Sequence, residues 1–336
     1  KSNLLALQLL SRIIDSKLPP FVVAELSGNH SGELDKALRL VDAAKDSGAD
    51  AVKLQTYRPD TITVQGTDDR FMIKSGLWKG KLLYELYEQA MTPWEWHPII
   101  AQKANDLGLH CFSSPFDETA VEFLEKSIQP PLYKISSFEL NHFPLLERVG
   151  ATHKPVIASV GVSSDQEISK AVQVLRNSGC PEVILLHCVS EYPANPSDFC
   201  LFKMPLLRTE QRKFFGLSDH SLGYLVTVAA TALGARVIEK HLCLDRQKSS
   251  IDGGFSMLPH EFSDMVKAVK STHLALLGSE VPKSPAFFKR SILVSSPIST
   301  GDLLSSQNLR VARPGDGMCP SRWDEVLGKF ASKDMS

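Results

Sequence analysis

The stretch FVVAELSGNH, residues 21–30, passes from four apolar residues to the carboxylate of Glu25 and then to polar, turn-forming residues. An uninterrupted apolar run of this kind is typical of a parallel strand that is buried on both faces. Polar side chains at the carboxyl ends of successive parallel strands are characteristic of (β/α)₈ barrel enzymes. The same change recurs at Lys53 in AVKLQ, Lys134 in LYKISSFE, His220 in GLSDHS and His241 in IEKHL.

Apolar runs alternate with segments of helical periodicity along most of the chain. Glycine follows several of these helices, in SGAD, LGL, SGCP and LGAR, as is common at helix carboxyl ends. Eight strands separated by helices predict a closed (β/α)₈ barrel, and the alternative, an open doubly wound sheet, lacks its GxGxxG turn after the first strand. The predicted strands are 21–25, 51–55, 110–113, 132–135, 155–159, 183–187, 214–217 and 236–240, and the predicted helices are 34–47, 93–107, 118–126, 165–177, 223–233 and 259–277.

The composition limits the classes of function. The 336 residues suffice for one barrel and a small extra domain, and a net charge of −1 gives no bias toward nucleic acid or an acidic membrane surface. No apolar run approaches the roughly 20 residues of a membrane helix, and the start of the chain does not read as a signal peptide. Six scattered cysteines without a CxxC pair favour a reducing cytoplasm over a disulfide framework or a zinc site.

The character of the sequence changes after residue 277. We expect a barrel domain over 1–277, a Pro/Ser-rich linker over 278–287 and a small β-rich domain over 288–336. Tight turns are predicted at SPISTGD and ARPGDG. A domain of about 50 residues is marginal for independent folding, so this tail is expected to pack against something else.

Two lysines interrupt apolar strands. A buried ammonium is costly unless a partner satisfies its charge, so Lys53 and Lys134 are either internal ion pairs, with Glu25 or Glu139, or ligands of an anionic substrate. The second interpretation is favoured because hydroxyl groups at nearby strand ends complete an anion cradle. These hydroxyls belong to Ser136, Ser137, Ser159 and Ser218.

Two histidines follow neighbouring strands. A lone histidine is more often structural, but His220 and His241 fall at adjacent strand ends and are predicted to bind a metal ion. Two imidazoles without a third protein ligand leave positions for water and substrate oxygens, which favours a catalytic ion of the Mn²⁺ type. Glu25 and Asp252, in SSIDGGFS, are expected to bind sugar hydroxyls or move protons; the alternative is a pair of solvated loop carboxylates.

Several longer stretches resemble the sialic acid synthase family. They are AELSGNHSGELDKALRLVDAAKDSGADAVKLQTYRPD, SSPFDETAVEFLE, YKISSFEL, GLSDHSLG and ARVIEKHL. Within the family, LQTYRPDTIT, SGLWKGKLLYELYEQAMTPWEWH and DGGFSMLPHEF are similar to the pseudaminic acid branch. RSILVSSPISTGDLLSSQNLRVARPGDG resembles the antifreeze-like (SAF) domain that closes these enzymes, although the chain stops at GKFASKDMS, before the family's last strand.

The resemblance implies an activity and roles for individual residues. Phosphoenolpyruvate, an altrose-type amino-sugar aldehyde (2,4-diacetamido-2,4,6-trideoxy-L-altrose) and water would give pseudaminic acid and phosphate. Mn²⁺ is implied as the ion, with Mg²⁺ or Co²⁺ as alternatives, in a domain-swapped homodimer. Phosphoenolpyruvate would be held by Lys53, Lys134, Ser137, Ser159 and Ser218; the metal by His220 and His241; the sugar and the attacking water by Glu25, Glu139 and Asp252; and an acetamido group by Arg313 of the other subunit.

Other functions remain open at this point. The chain fits an N-acetylneuraminate or legionaminate synthase, or a related barrel enzyme acting on another sugar. A non-catalytic carbohydrate- or ice-binding protein is the remote alternative. It is disfavoured because a binding protein has no need of two lysines, two histidines and Glu25 in this arrangement.

Overall fold

The apolar runs form eight parallel strands that close into a barrel, because β1 pairs with β2 on one side and with β8 on the other. The computed structural model describes residues 2–209, 213–246, 250–278 and 286–336. The predicted (β/α)₈ fold is confirmed, and each strand begins and ends within two residues of its predicted bounds. The strands are β1 Phe21–Glu25, β2 Ala51–Thr56, β3 His110–Pro115, β4 Tyr133–Ile135, β5 Val156–Ser159, β6 Val183–Cys188, β7 Phe215–Asp219 and β8 Val237–His241.

Helices surround the barrel and connect its strands. Two glycines show why the predicted helix ends are correct: Gly48 and Gly234 follow α2 and α9 with φ of +84° and +97°, a conformation that residues with a Cβ rarely adopt. Helices α1, α3, α4 and α7 were not predicted. The helices are α1 Ser2–Ile14, α2 Leu34–Asp46, α3 Pro59–Ile62, α4 Leu83–Ala90, α5 His97–Asp106, α6 Glu118–Ser127, α7 Phe143–Gly150, α8 Asp165–Asn177, α9 Leu225–Ala232 and α10 Pro259–Leu277.

The barrel interior is apolar at one end and polar at the other. Leu9 and Ile13 of α1 pack into the apolar end, so this helix closes the barrel floor. Because side chains alternate along a strand, the residue two positions beyond Val23 or Val237 also points inward, and it is Glu25 or Glu239. The strand residues of the floor are Phe21, Val23, Ala51, Phe112, Leu132, Ile157, Ile184, Leu186 and Val237.

The chain divides into two compact units, Lys1–Leu277 and Gly278–Ser336. The second unit contains an antiparallel pair, β9 Ser291–Val294 and β10 Leu309–Ala312, and a short helix, α11 Trp323–Val326. Ile298, Leu309 and Ala331 form its small core. Most of the predicted linker 278–287 lies outside the described residues, which omit 279–285. Among the residues described, no helix is long and apolar enough to cross a membrane.

Candidate active site

Lys53 lies at the centre of the polar end of the barrel, where it contacts two carboxylates. Its Nζ is 2.9 Å from Oε2 of Glu25 and 3.1 Å from Oε1 of Glu239, and it donates to Ser114 Oγ at 3.4 Å. Gln55 Nε2 donates to the other oxygen of Glu25 at 2.9 Å. The interpretation of Lys53 as an ion-paired lysine is therefore correct for the free protein, with Glu25 as one of its partners.

Lys134 and two of the predicted serines join the same network. Lys134 Nζ donates to Ser159 Oγ at 2.8 Å and lies 3.8 Å from Oε1 of Glu239. Ser218 Oγ donates to that same oxygen of Glu239 at 3.2 Å. One carboxylate thus links both lysines across the barrel, and the cluster includes side chains from β1, β2, β3, β4, β5, β7 and β8.

Glu239 is the residue that the sequence reasoning missed. It is 3 % exposed and lies inside a strand that was correctly predicted. The signal was available, because Glu239 is two positions before His241 and therefore shares its inward-facing side of β8. The position of Glu239 on the inner face of a barrel strand indicated a site residue as strongly as the positions of the two lysines did.

The network nearly balances its own charge. Burial opposes the charge on Lys53, but Glu239 and Glu25 outweigh it and raise the pKa of Lys53. Burial lowers the pKa of Lys134, and Glu239 offsets part of that effect. Burial also raises the pKa of Glu25. Binding of a ligand anion to the lysines is therefore favoured when it displaces one of these carboxylates or when one of them takes up a proton.

Glu139 follows β4 in a short 3₁₀ helix, Ser137–Glu139, and is the least satisfied carboxylate of the site. Its buried Oε2 has no hydrogen-bond partner among the described residues. Burial raises the pKa of Glu139 to about 7, with Lys134 opposing the shift. Ser137 Oγ accepts a hydrogen bond from the backbone N–H of Gly161 at 3.0 Å. Glu139 is thus suited to exchange a proton near neutral pH.

His220 and His241 lie side by side, with ring centroids 5.4 Å apart. Nδ1 of His220 is 2.9 Å from the carbonyl oxygen of Val189, so this nitrogen is the N–H donor and Nε2 keeps its lone pair. Nδ1 of His241 is buried and makes no hydrogen bond within the described structure. Burial, then the neighbouring His220 ring, holds the pKa of His241 well below 6.5. A neutral imidazole with an unused lone pair is the form that binds a metal ion, and His241 has this form. Burial opposes the charge on His220 as well, but Cys188 and the Val189 carbonyl outweigh it and raise the pKa of His220, so this ring must lose a proton to bind an ion.

The histidine pair therefore fits a divalent ion with few protein ligands. Within the part of the chain that the structure describes, no group of three or more His, Cys, Asp or Glu is arranged around one point. The nearest acidic side chain is that of Asp252, whose Oδ2 is 3.7 Å from Nδ1 of His241. Remaining coordination positions would fall to water or substrate oxygens. The open metal site stays a prediction.

Asp252 is held in place by the loop after β1. Asn29, fully buried, accepts a hydrogen bond from the backbone N–H of Asp252 at 3.2 Å and donates to Ser256 Oγ and the carbonyl of Leu242, both at 2.9 Å. Ser256 Oγ in turn donates to the carbonyl of Asp252 at 2.7 Å. These bonds fix the loop after β8 at the polar end of the barrel. Asn29 was not predicted.

The predicted site residues fall into two groups. Those of the barrel gather at one end of it: Glu25, Lys53, Lys134, Ser137, Glu139, Ser159, Ser218, His220, His241 and Asp252. Arg313 belongs to the second unit, where its Nε donates to the carbonyl of Phe288 at 2.6 Å. Its predicted contact with the sugar therefore stays a prediction.

The fold and the site are those of a barrel enzyme with two buried lysines and two neighbouring histidines at one end of the barrel. The chain belongs to the NeuB family, whose model matches residues 40–281, and a SAF domain matches residues 289–336. Enzymes of this family are metal-dependent. The predicted sialic acid synthase family and the SAF domain are confirmed.

Individual relatives agree with this assignment. The chain is 43% identical to a pseudaminic acid synthase of Campylobacter jejuni over 94% of this chain and 93% of that protein. It is 42% identical to the pseudaminic acid synthase of Helicobacter pylori, with 94% of each chain covered. Among solved structures it is similar to an N-acetylneuraminic acid synthetase from Leptospira borgpetersenii, with a TM-score of 0.71, 30% identity and coverage of 80% of this chain and 89% of that one. The predicted branch is supported as well.

Proposed function

We propose that the chain condenses phosphoenolpyruvate with 2,4-diacetamido-2,4,6-trideoxy-L-altrose and water to give pseudaminic acid and phosphate. The observation that carries the proposal is the placement of Lys53 and Lys134 beside a metal-type histidine pair at one end of the barrel. The names of the two relatives at 43% and 42% identity support the choice of sugar. N-acetylneuraminate and legionaminate synthesis remain the alternative activities.

The anion is bound by the lysines together with hydroxyl groups. Phosphoenolpyruvate carries a phosphate and a carboxylate, which are the groups that Lys53 and Lys134 neutralise when Glu239 yields part of its contact with them. Ser137, Ser159 and Ser218 supply further hydrogen bonds to these groups. Charge-assisted hydrogen bonds inside a barrel are stronger than the same bonds in water.

His220 and His241 would hold the metal, with Mn²⁺ as the proposed ion and Mg²⁺ or Co²⁺ as alternatives. When bound, the ion supplies Lewis-acid stabilisation of the negative charge that develops on the aldehyde oxygen. Val189 orients the His220 ring through its carbonyl oxygen, and the Asn29-held loop keeps Asp252 beside His241. Asp252 and Glu25 orient the sugar through its hydroxyl and amide groups.

The reaction forms one carbon–carbon bond and breaks one carbon–oxygen bond. C3 of phosphoenolpyruvate attacks the aldehyde carbon, whose oxygen takes up a proton from solvent. Water adds to C2 and gives a proton to Glu139, for which a carboxylate with a pKa of about 7 is well matched. The C2–O bond then breaks, phosphate leaves with the bridging oxygen, and loss of the remaining hydroxyl proton gives the α-keto acid.

Phosphate release tests this function directly. The enzyme is mixed with phosphoenolpyruvate, Mn²⁺ and, in separate reactions, the altrose derivative, N-acetylmannosamine or the legionaminic precursor. The proposal expects the fastest release with the altrose derivative, and a clear preference for another aldehyde would replace it with that synthase activity. With phosphoenolpyruvate labelled at the bridging oxygen, the label should leave in phosphate, whereas label in the keto acid would mean P–O cleavage.

The working unit is proposed to be a homodimer in the cytoplasm, with residues 1–277 as the synthase domain and the SAF domain of 288–336 over the partner's barrel. Arg313, an exposed residue of the SAF domain, would donate two hydrogen bonds to an acetamido carbonyl there. Arg313→Ala subunits mixed with His220→Ala subunits, each inactive alone, should regain activity, because one site per heterodimer is complete. Subunit exchange without regained activity would contradict action on the partner.

A further inference from the structure

Trp78 contacts the loop that contains Asp252, although the two are remote in sequence. It lies between α3 and α4, and its indole Nε1 donates to the carbonyl of Ile251 at 3.1 Å. Its neighbour Leu77 rests on the same loop, since a Cβ at Gly254 would lie 3.3 Å from a methyl carbon of Leu77. The segment is thus fixed against the loop after β8, next to the catalytic end of the barrel.

Two aromatic rings connect Trp78 with the histidine pair. The ring of Tyr192 is 5.3 Å from that of Trp78 and 4.5 Å from that of His220. The ring of Phe255 is 6.3 Å from that of Trp78 and 4.8 Å from that of His241. Phe255 is 2 % exposed and therefore rigidly packed, whereas Trp78 is only half-buried. An aromatic wall therefore extends from the histidines outward and ends at Trp78.

Trp78 also lines a cleft of ≈ 600 Å³. The walls of this cleft come from the loop after β1, from residues 77–89 and from described residues of the loop after β8. Besides Trp78 they are Ser31, Gly32, Leu77, Lys81, Gln89, Arg246, Ser250, Ile251 and Gly254. The cleft is large enough for part of a sugar with its substituents. It adjoins the wall through Trp78, the one aromatic residue that belongs to both.

We propose that Trp78 is a specificity-determining residue: it contacts the end of the amino-sugar aldehyde remote from the reacting carbon and favours a methyl group there over a hydroxymethyl group. This inference rests on the proposed function, because the aldehyde carbon must lie at the histidine pair. The face of an indole ring packs well against a methyl group. Its one polar group, the N–H, is already donated to Ile251, so a hydroxyl that lies against the indole ring would lose its water there without a hydrogen bond from Trp78 in return.

The test compares two sugars that differ only at this end: 2,4-diacetamido-2,4,6-trideoxy-L-altrose and its 6-hydroxy counterpart. An apolar contact of this size discriminates by about 10- to 100-fold in kcat/KM. The wild type should prefer the 6-deoxy sugar to that degree, and Trp78→Ala should remove most of the preference through a higher KM for the 6-deoxy sugar. Trp78→Phe should keep part of it, and the KM for phosphoenolpyruvate should not change in either variant.

Trp94→Phe is the matched control. Trp94 is also half-buried and its indole N–H also donates to a carbonyl, that of Tyr57, but it packs against Arg58 and Phe123 away from the histidines. Its substitution should leave the preference between the two sugars unchanged. A Trp78→Ala enzyme that keeps the full preference, or that loses affinity for phosphoenolpyruvate equally, would overturn the proposal.

Direct binding separates this proposal from the proposed function. If the wild type releases no phosphate with either sugar, the proposed function fails, and titration with the 6-deoxy sugar while tryptophan fluorescence is monitored still decides the role of Trp78. A sugar-dependent fluorescence change that is lost in Trp78→Phe and kept in Trp94→Phe supports the contact. A change that persists in Trp78→Phe, or no change in the wild type, overturns it.

Discussion

Strands β7 and β8 carry charged side chains on both faces, and the two faces differ in how completely their hydrogen bonds are satisfied. On the outer face, Asp219 Oδ2 accepts from Lys240 Nζ at 2.7 Å and from Thr227 Oγ1 at 2.8 Å. Its Oδ1 accepts from the N–H and the hydroxyl of Ser221 at 2.8 and 2.7 Å. Lys240 also donates to the carbonyl of Ser221 at 2.8 Å, so this pair is saturated by the protein itself.

On the inner face the same strands leave acceptors unused. Oε2 of Glu239 and Nδ1 of His241 are buried and lack hydrogen-bond partners among the described residues, and so does Oε2 of the nearby Glu139. Buried polar atoms are nearly always paired in folded proteins, so unpaired atoms gathered at this end of the barrel call for an explanation. The proposed ligands would supply one, since phosphate, metal, sugar and water would complete this face on binding.

The difference separates the charged residues that stabilise the barrel from those that are expected to bind ligands. The outer pair lies one residue away from the inner groups along each strand, and it ties β7, β8 and the start of the loop after His220 to each other. We therefore expect substitutions on the outer face to lower stability without changing ligand affinity. Substitutions on the inner face should weaken ligand binding with little effect on stability.

Lys240→Met should produce the largest effect, on stability. Removing the ammonium leaves Asp219 buried without its cation, which costs about 3–5 kcal/mol in the free energy of unfolding. Urea denaturation measures this loss, and the affinity for phosphoenolpyruvate of the folded fraction should stay that of the wild type. The double variant Asp219→Asn/Lys240→Met should recover part of the stability, because no charge is left alone. Weakened phosphoenolpyruvate binding in a stable double variant would contradict a purely structural role.

His220→Ala should reduce turnover by about 100- to 1000-fold, or about 2.7–4 kcal/mol of transition-state stabilisation, with little change in melting temperature. The reason is that one of two metal-binding imidazoles is lost. A chelator should likewise abolish wild-type activity, and Mn²⁺ or Co²⁺ should restore it better than Ca²⁺. His260→Ala, an exposed histidine of α10, is the control. Undiminished turnover of chelator-treated His220→Ala enzyme would refute metal binding by this residue.

Lys53→Met and Lys134→Met should each weaken phosphoenolpyruvate binding by about 10- to 100-fold, or about 1.5–3 kcal/mol. Each variant removes a charge-assisted contact with the anion. Calorimetric titration of the two variants against wild type gives the affinities, and circular dichroism checks the fold. If both variants bind phosphoenolpyruvate as tightly as the wild type does, the inner lysines are structural ion-pair residues like Lys240.

The pH dependence should be the smallest effect. Only the ionised form of Glu139 accepts a proton, and its pKa is about 7, so the rate rises with pH through that value. From pH 6 to pH 8 the ionised fraction, and with it kcat/KM for phosphoenolpyruvate, should increase about tenfold. Glu139→Gln should be slower and lack this rise. A rise of the same size in the variant would assign the titration to another group.

The sequence predicted the fold well because its signal is local. Buried parallel strands correspond to apolar runs in the sequence. Glycines such as Gly48 end helices in the left-handed backbone conformation, which favours glycine over other residues. Helix α1 was missed for the opposite reason: its function as the barrel floor depends on Leu9 and Ile13 meeting strands that are distant in sequence.

The candidate site was predicted less completely. Residues that end a strand, such as Glu25 and His241, stand out against the apolar run, whereas Glu239 lies inside a run and is noticed only from the alternation of side chains along the strand. The ring contacts of Trp78 and the hydrogen bonds of Asn29 join segments more than a hundred residues apart. No local pattern encodes such contacts, and only the closed barrel brings them together.

The central claim is that the inner face of β7 and β8 is completed by a metal ion at His220 and His241. Electron spin echo spectroscopy of Mn²⁺ bound to protein with ¹⁵N-labelled histidine tests it most directly. The account predicts coupling to two histidine nitrogens, loss of one coupling in His220→Ala, and an unchanged spectrum in the double variant Asp219→Asn/Lys240→Met. Bound Mn²⁺ without histidine nitrogen coupling, or with coupling that survives removal of both histidines, would contradict it.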